Sequence, residues 1–316
     1  MKMVAKKYIT ILLFLQCGII FSQKIVTDSI AMTNGKYRIP GILTIPNINK
    51  EIPLVVFVPG SGNVDKNGNQ KGIIKANYIK QLAHKLNAEG IAVYRYDKRS
   101  VDAANVELMK LQAVKFEDFV ADVDTIVQHY ANDKRFNQIV LIGHSQGSLT
   151  AMLACNKKVS KFISLDGAAK PVFKLLVEQI SAQNPEMGKI AESQLNELQE
   201  TDTIQEVNPL MQSILQPTLF SFLKSWNAYN PSEVIQKLKQ PVLVINGDAD
   251  MQVLVNDAKL LHDAKPESEL VIVQRMNHVL KLVNNPQENQ SSYFEPNFPI
   301  PNQLVEVIVT FIKKYS

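Results

Sequence analysis

A chain of 316 residues that is 46% hydrophobic and 20% charged has the balance of an ordinary globular domain. A domain of that size can bury a large core without disulfides or metals. Basic residues exceed acidic ones by only four, and no basic tract occurs, which excludes the extended positive surface of a nucleic-acid binder. The two cysteines are Cys17 and Cys155. Cys17 lies in the leader described next, so the remainder can form neither an internal disulfide nor a cysteine zinc site.

Lys2, Lys6 and Lys7 open the chain and supply three of its four excess positive charges. An apolar run from Ile9 to Phe21 and the small Ser22 follow, in the order of a secretory signal peptide. The run falls short of the roughly 20 residues a membrane span needs. Residues 1–22 are therefore expected to be a cleaved leader and 23–316 an exported, periplasmic or secreted domain with no stable membrane span. An uncleaved anchor or a buried helix is the alternative, and a lipoprotein acylated at Cys17 is disfavoured by the bulky Gln16 before it.

Beyond the leader, short β-rich runs alternate with longer helical ones. Ile25–Met32 and Tyr37–Ile45, joined through Asn34-Gly35, predict an antiparallel hairpin. Leu54–Val58, Ile91–Tyr96, Gln138–Ile142, Phe162–Leu165, Val242–Ile245 and Leu270–Val273 read as buried strands. Tyr78–Leu86, Phe116–Tyr130, Ser148–Asn156 and Leu304–Lys314 carry helical periodicity. Continuous apolar strands separated by helices predict an α/β fold with a mostly parallel sheet covered on both faces. Residues 171–230 break the alternation with helical patterns and no strand. They predict an insertion, either a lid over a site or a packed helical decoration. Its Leu210, Met211, Ile214, Leu215, Leu219, Phe220, Phe222, Leu223 and Trp226 could line an acyl pocket or, more plainly, bury the lid helices against the core.

Gly143-His144-Ser145-Gln146-Gly147 stands between a strand and a helix, which gives the G-x-S-x-G pattern its meaning. Such a turn exposes the Ser145 hydroxyl and aims the first helical amide, that of Gln146, at a developing oxyanion. A serine hydroxyl needs a base to take its proton. Of the five histidines, His84, His129 and His262 fall in predicted helices, and His144 adjoins the nucleophile across the elbow. His278 alone lies in a loop just past a strand end. A carboxylate should orient it, and both Asp248 and Asp250 lie where one is needed.

Pro59-Gly60-Ser61-Gly62 follows the first buried parallel strand and lets backbone approach a substrate. Asp65 to Asn69 superficially suggests a calcium loop, but Gln70 and Ala76 occupy the positions where glycine and glutamate are required. Asp65 and Asn69 are better placed to brace the preceding loop. Asp97-Lys98-Arg99 reads as a source of structural ion pairs, with substrate contact the minority reading. Asn289-Gln290-Ser291 fits a glycosylation sequon.

Val58–Gly62, the Gly143–Gly147 elbow, Asn246–Asp250 and Asn277-His278 together resemble the α/β-hydrolase superfamily, in its order of nucleophile, acid and histidine. Asp65, Asn69, Tyr96–Arg99 and Asp250–Val253 are similar to bacterial carboxylesterase-like and serine-aminopeptidase-like hydrolases, although Ser100 stands where those relatives have glycine. The resemblance implies an α/β-hydrolase fold with a helical lid, and it selects Asp250 over Asp248 as the acid. It also makes the Ser61 amide the second oxyanion donor, with Pro59 in place of the usual histidine. The implied activity is hydrolysis of small-molecule carboxylic esters through an acyl-enzyme, with no cofactor and no metal. A peptidase or amidase of the serine aminopeptidase type, and a non-catalytic binding module, are the alternatives. Oligomeric state is not legible.

Overall fold

The computed structural model describes residues 24–314, so the expected leader lies outside the described residues. Strands β1 (Ile25–Asn34) and β2 (Tyr37–Pro46) form the expected antiparallel hairpin, turning at Gly35 with φ +57°. Next come β3 (Ile52–Val58), a two-residue hairpin of β4 (Asn69–Gln70) and β5 (Ile74–Lys75), α1 (Tyr78–Ala88) and β6 (Ala92–Tyr96). Then follow α2 (Ala103–Lys110), α3 (Phe116–Tyr130), β7 (Phe136–His144), α4 (Gln146–Ala154) and β8 (Lys161–Leu165). Helices α5 (Val172–Gln183), α6 (Pro185–Thr201), α7 (Phe220–Asn227) and α8 (Pro231–Gln236) separate β8 from β9 (Val242–Gly247). The chain closes with α9 (Val255–Ala264), β10 (Glu269–Val273), α10 (Pro286–Ser291) and α11 (Asn302–Lys313).

The sheet has eight strands in the order β1-β2-β6-β3-β7-β8-β9-β10. β2 runs antiparallel to β6, and every pair from β6 to β10 is parallel. Burial explains the sequence pattern: β6, β7, β8 and β9 carry apolar residues almost without interruption because helices cover both faces. Two apolar clusters result. Leu54, Val56, Leu141 and Phe162 lie in the one that includes α3 and α4, and Val55, Phe57, Val140 and Ile163 in the one that includes α1 and α11. Parallel pairing brings the carboxyl ends of β3, β7, β9 and β10 to one edge, where ligands of open α/β sheets bind.

The insertion is helical, as expected, and has a core of its own. Phe173, Leu195, Leu198, Met211, Leu215, Phe220 and Leu223 are buried together, whereas Leu210 is 76% exposed. The insertion docks on the sheet layer through aromatic rings. Trp226 stacks on Phe116 of α3 with centroids 5.6 Å apart and planes 5° from parallel. Phe222 meets Phe119 edge-on at 5.5 Å. Phe222 and Trp226 thus bury the insertion's helices against the core, the plainer of the two sequence readings, while Leu215, Phe220 and Leu223 lie in the insertion's own cluster. Among the described residues no helix is long and apolar enough to cross a membrane.

Candidate active site

β7 delivers the chain to Ser145 at the middle of the sheet, and α4 leaves it at once. A reversal that tight forces the backbone of Ser145 to φ +53°, ψ −123°, a region a side-chain-bearing residue rarely adopts. Space is the second constraint. A Cβ on Gly143 would lie 2.3 Å from the Gly147 carbonyl oxygen, and one on Gly147 would lie 2.2 Å from that of Val58. Only glycine at both positions lets the elbow close against β3.

Ser145, His278 and Asp250 meet at the carboxyl edge although they are far apart in sequence. Ser145 Oγ lies 3.1 Å from His278 Nε2, and His278 Nδ1 lies 2.7 Å from Asp250 Oδ2. A carboxylate can only accept, so Nδ1 carries the imidazole proton and Nε2 is free to accept from the hydroxyl. Asp250 is held from its other oxygen: Oδ1 accepts from the Gln252 and Val253 amides at 2.7 and 3.0 Å. Asp248 is occupied elsewhere, accepting from the Arg275 amide at 2.5 Å. Chemically, a hydroxyl bonded to an imidazole that is bonded to a buried carboxylate can lose its proton as it attacks a carbonyl.

Pro59-Gly60-Ser61-Gly62 packs against the elbow, for a Cβ on Gly60 would touch Ser145 Cβ at 3.2 Å. Among the described residues neither the Ser61 nor the Gln146 backbone N–H donates to a backbone or side-chain acceptor of the chain. Asp65 holds the turn that follows this loop, its Oδ1 accepting from the amides of Asn67 and Asn69 at 2.8 and 2.9 Å. Asp97 pairs with Lys66 at 2.7 Å, and the buried Arg99 grips Asp122 through Nε and Nη2 at 2.7 and 2.6 Å. Lys98 departs from the ion-pair expectation. It has no carboxylate partner among the described residues and turns inward to Gly60 and Gln146.

Several supporting residues carried no sequence signal. His144, expected across the elbow, packs against the candidate base, with ring centroids 4.9 Å apart. Its Nε2 donates to the His278 carbonyl at 2.8 Å and its Nδ1 faces the Tyr78 hydroxyl at 3.4 Å. Burial, followed by the neighbouring His278, lowers its pKa to about 3, so it is neutral and holds the His278 loop as a donor. Asn277 Nδ2 donates to Asn289 Oδ1 at 3.0 Å and Ser292 Oγ at 2.8 Å, and Asn289 Nδ2 donates to the Ala249 carbonyl at 2.8 Å. That lattice ties the histidine loop to the acid loop. It also buries the amide of the sequon, which is spent on Ala249 rather than offered at the surface.

Asp166, just past β8, is fully buried at φ +50° and accepts from the Gly247 amide at 2.9 Å, and its Oδ2 has no partner among the described residues. Burial, then the nearby Asp250, pushes its carboxyl well above the usual range, against the pull of the Gly247 amide. His144, Asp166 and His278 offer donor atoms within 4.8 Å of one another. The histidine nitrogens are already committed, so this set does not make a ready metal site. The surface hollow lined by Lys115, Asp202, Ser221, Lys224 and Ser225 includes none of these residues and lies between the insertion and the start of α3.

Comparison with known proteins accords with this architecture. The family model described as "Serine aminopeptidase, S33" matches residues 73–282. Esterase EstD of Thermotoga maritima is 24% identical over 248 residues, which cover 77% of this chain and 58% of that protein. The chain thus spans under two thirds of the length of that relative. Among solved structures, Est1E from Butyrivibrio proteoclasticus with bound ferulic acid has a TM-score of 0.56 at 16% identity, covering 90% of this chain and 97% of that one. An acylaminoacyl peptidase of Pyrococcus horikoshii has a TM-score of 0.58 at 13% identity, covering 94% of this chain and 43% of that one. At these identities the structural likenesses speak for the fold alone.

Proposed function

The chain belongs to the serine aminopeptidase S33 family of α/β-hydrolases, and from that premise we propose that it is a carboxylesterase-like serine hydrolase with Ser145 as nucleophile, His278 as base and Asp250 as acid. One observation carries the reading: the unbroken hydrogen-bonded path from the Ser145 hydroxyl through His278 to a carboxylate held at both oxygens. Ser145 Oγ attacks the ester carbonyl while His278 Nε2 takes its proton. Asp250 keeps the imidazole in the tautomer that presents Nε2 and stabilises the imidazolium. The Ser61 and Gln146 amides receive the oxyanion. The imidazolium then protonates the leaving alkoxide, and water, deprotonated by the same His278, releases the acid.

The names of EstD and Est1E favour esters over amino-terminal peptides. The lysine-rich start and short apolar run support export of the domain to the periplasm or the medium.

A fluorophosphonate probe tests the assignment, followed by rates on esters of graded acyl length, a feruloyl ester and aminoacyl amides. Labelling of Ser145, ester turnover well above amide turnover, and loss of both in Ser145→Ala are expected. Full turnover by Ser145→Ala ends the hydrolase reading, and amide turnover above ester turnover moves it to the peptidase alternative.

A further inference from the structure

Lys98 is the one residue of its segment whose placement ion pairing does not explain. It stands just past the end of β6, 5% exposed, with its ammonium 5.0 Å from the centre of the Phe119 ring. No carboxylate pairs with it among the described residues, because Asp122 faces Arg99 and Asp97 faces Lys66. Its two acceptors are the Gly60 carbonyl and Gln146 Oε1, each at 2.8 Å. A buried ammonium without a counter-ion is costly to keep. Burial accordingly lowers its pKa to about 7, with Asp122 opposing.

Both acceptors lead to the same place. In a trans peptide the C=O of one residue and the N–H of the next point in opposite directions across one plane. A donor fixed behind the Gly60 carbonyl therefore turns the Ser61 N–H to the opposite side of that peptide plane. The same ammonium holds the side chain of Gln146, whose own amide opens α4. Hydrogen bonding to the carbonyl also polarises the peptide and strengthens its N–H as a donor.

We propose that Lys98 is a positioning residue for the oxyanion hole, orienting the Ser61 and Gln146 amides and presenting a buried positive charge behind them. The proposal rests on the hydrolase reading above. In its protonated form Lys98 has no carboxylate partner at rest and is complementary to a negative charge that exists only when the tetrahedral intermediate forms. Its interaction therefore favours the transition state over bound substrate.

Lys98→Met keeps the side-chain length and removes the donor. Lys98→Gln keeps a neutral donor and carries the same comparison if the methionine variant does not fold. On a short ester, Lys98→Met is expected to lower kcat by about 10- to 100-fold, below the full loss of an oxyanion donor, with KM within about threefold. A trifluoromethyl ketone, which forms a hemiketal oxyanion on the serine, should weaken by a similar factor, whereas an uncharged ether analogue of the substrate should bind as before. Lys98→Gln should fall between wild type and Lys98→Met. Unchanged kcat, or equal weakening of both inhibitors, overturns the proposal. Ser145→Ala separates the two ideas. Activity in that variant removes the hydrolase reading, whereas an inactive Ser145→Ala beside an unimpaired Lys98→Met removes the role of Lys98 alone.

Discussion

The carboxyl edge of the sheet and the helical insertion above it are built on different principles. At the edge, polar side chains are buried and bonded at almost every atom: His144 to the His278 carbonyl, Asn277 to Asn289 and Ser292, Asp250 to two amides and an imidazole. The insertion is held by apolar contact, with its own core and a ring stack on α3. Its polar links to the edge are few, such as Gln179 Nε2 donating to the Gln252 carbonyl at 2.7 Å. Directional bonds fix atoms within tenths of an ångström, whereas apolar contacts fix volumes. On the proposed reading, chemistry therefore belongs to the first region.

If that division holds, a change at the edge should affect rate far more than stability. Asp250→Asn keeps the shape of the acid but donates where it must accept. A fall in kcat of about 10⁴-fold is expected, with little change in the far-ultraviolet circular dichroism. Retained turnover would place the acid elsewhere, with the buried Asp166 the first residue to substitute. A change in the insertion should do the reverse. Trp226→Ala removes the stack on Phe116 and should cost about 2–3 kcal/mol in chemical denaturation, somewhat less than truncating a fully buried aromatic. Its kcat on a short ester should stay within about twofold of wild type. A large kcat loss there would mean that the insertion shapes the reacting groups.

The smallest effect sharpens the picture of His144. Its pKa falls from 6.5 to about 3 on folding, so between those values the unfolded chain binds a proton that the native state refuses. The stability this group contributes is present above pH 6.5 and is lost as pH falls toward 3. His144→Gln should flatten the acid slope of unfolding free energy over that window relative to wild type, since Asp166 titrates in both proteins. Identical slopes would show that His144 is not held neutral.

Periodicity sufficed for most of the architecture. The helix over Phe116–Tyr130 appears with the expected bounds, and each buried strand differs from expectation by a residue or two at its ends. The elbow and the meeting of Ser145 with His278 were legible because a strand–turn–helix context admits few geometries. Helix α2 and the β4–β5 hairpin were not legible, for they are short and amphipathic in neither period. Lys98 and Asn289 were missed for a different reason. Their roles come from tertiary hydrogen bonds to backbone carbonyls far along the chain, at Gly60 and Ala249, and no local pattern marks the partner.

The insertion leaves the sheet after β8 and the chain returns in β9, which lies directly beside it with Phe162 opposite Val242. Everything between is spatially a detour from one strand to its neighbour, and α8, whose Ile235 is fully buried in the sheet-side core, already lies where a single crossover helix would run. A library that recombines the segment from relatives, or shortens it onto α8, would test whether it selects the molecules that reach Ser145, without redrawing the residues that act on them.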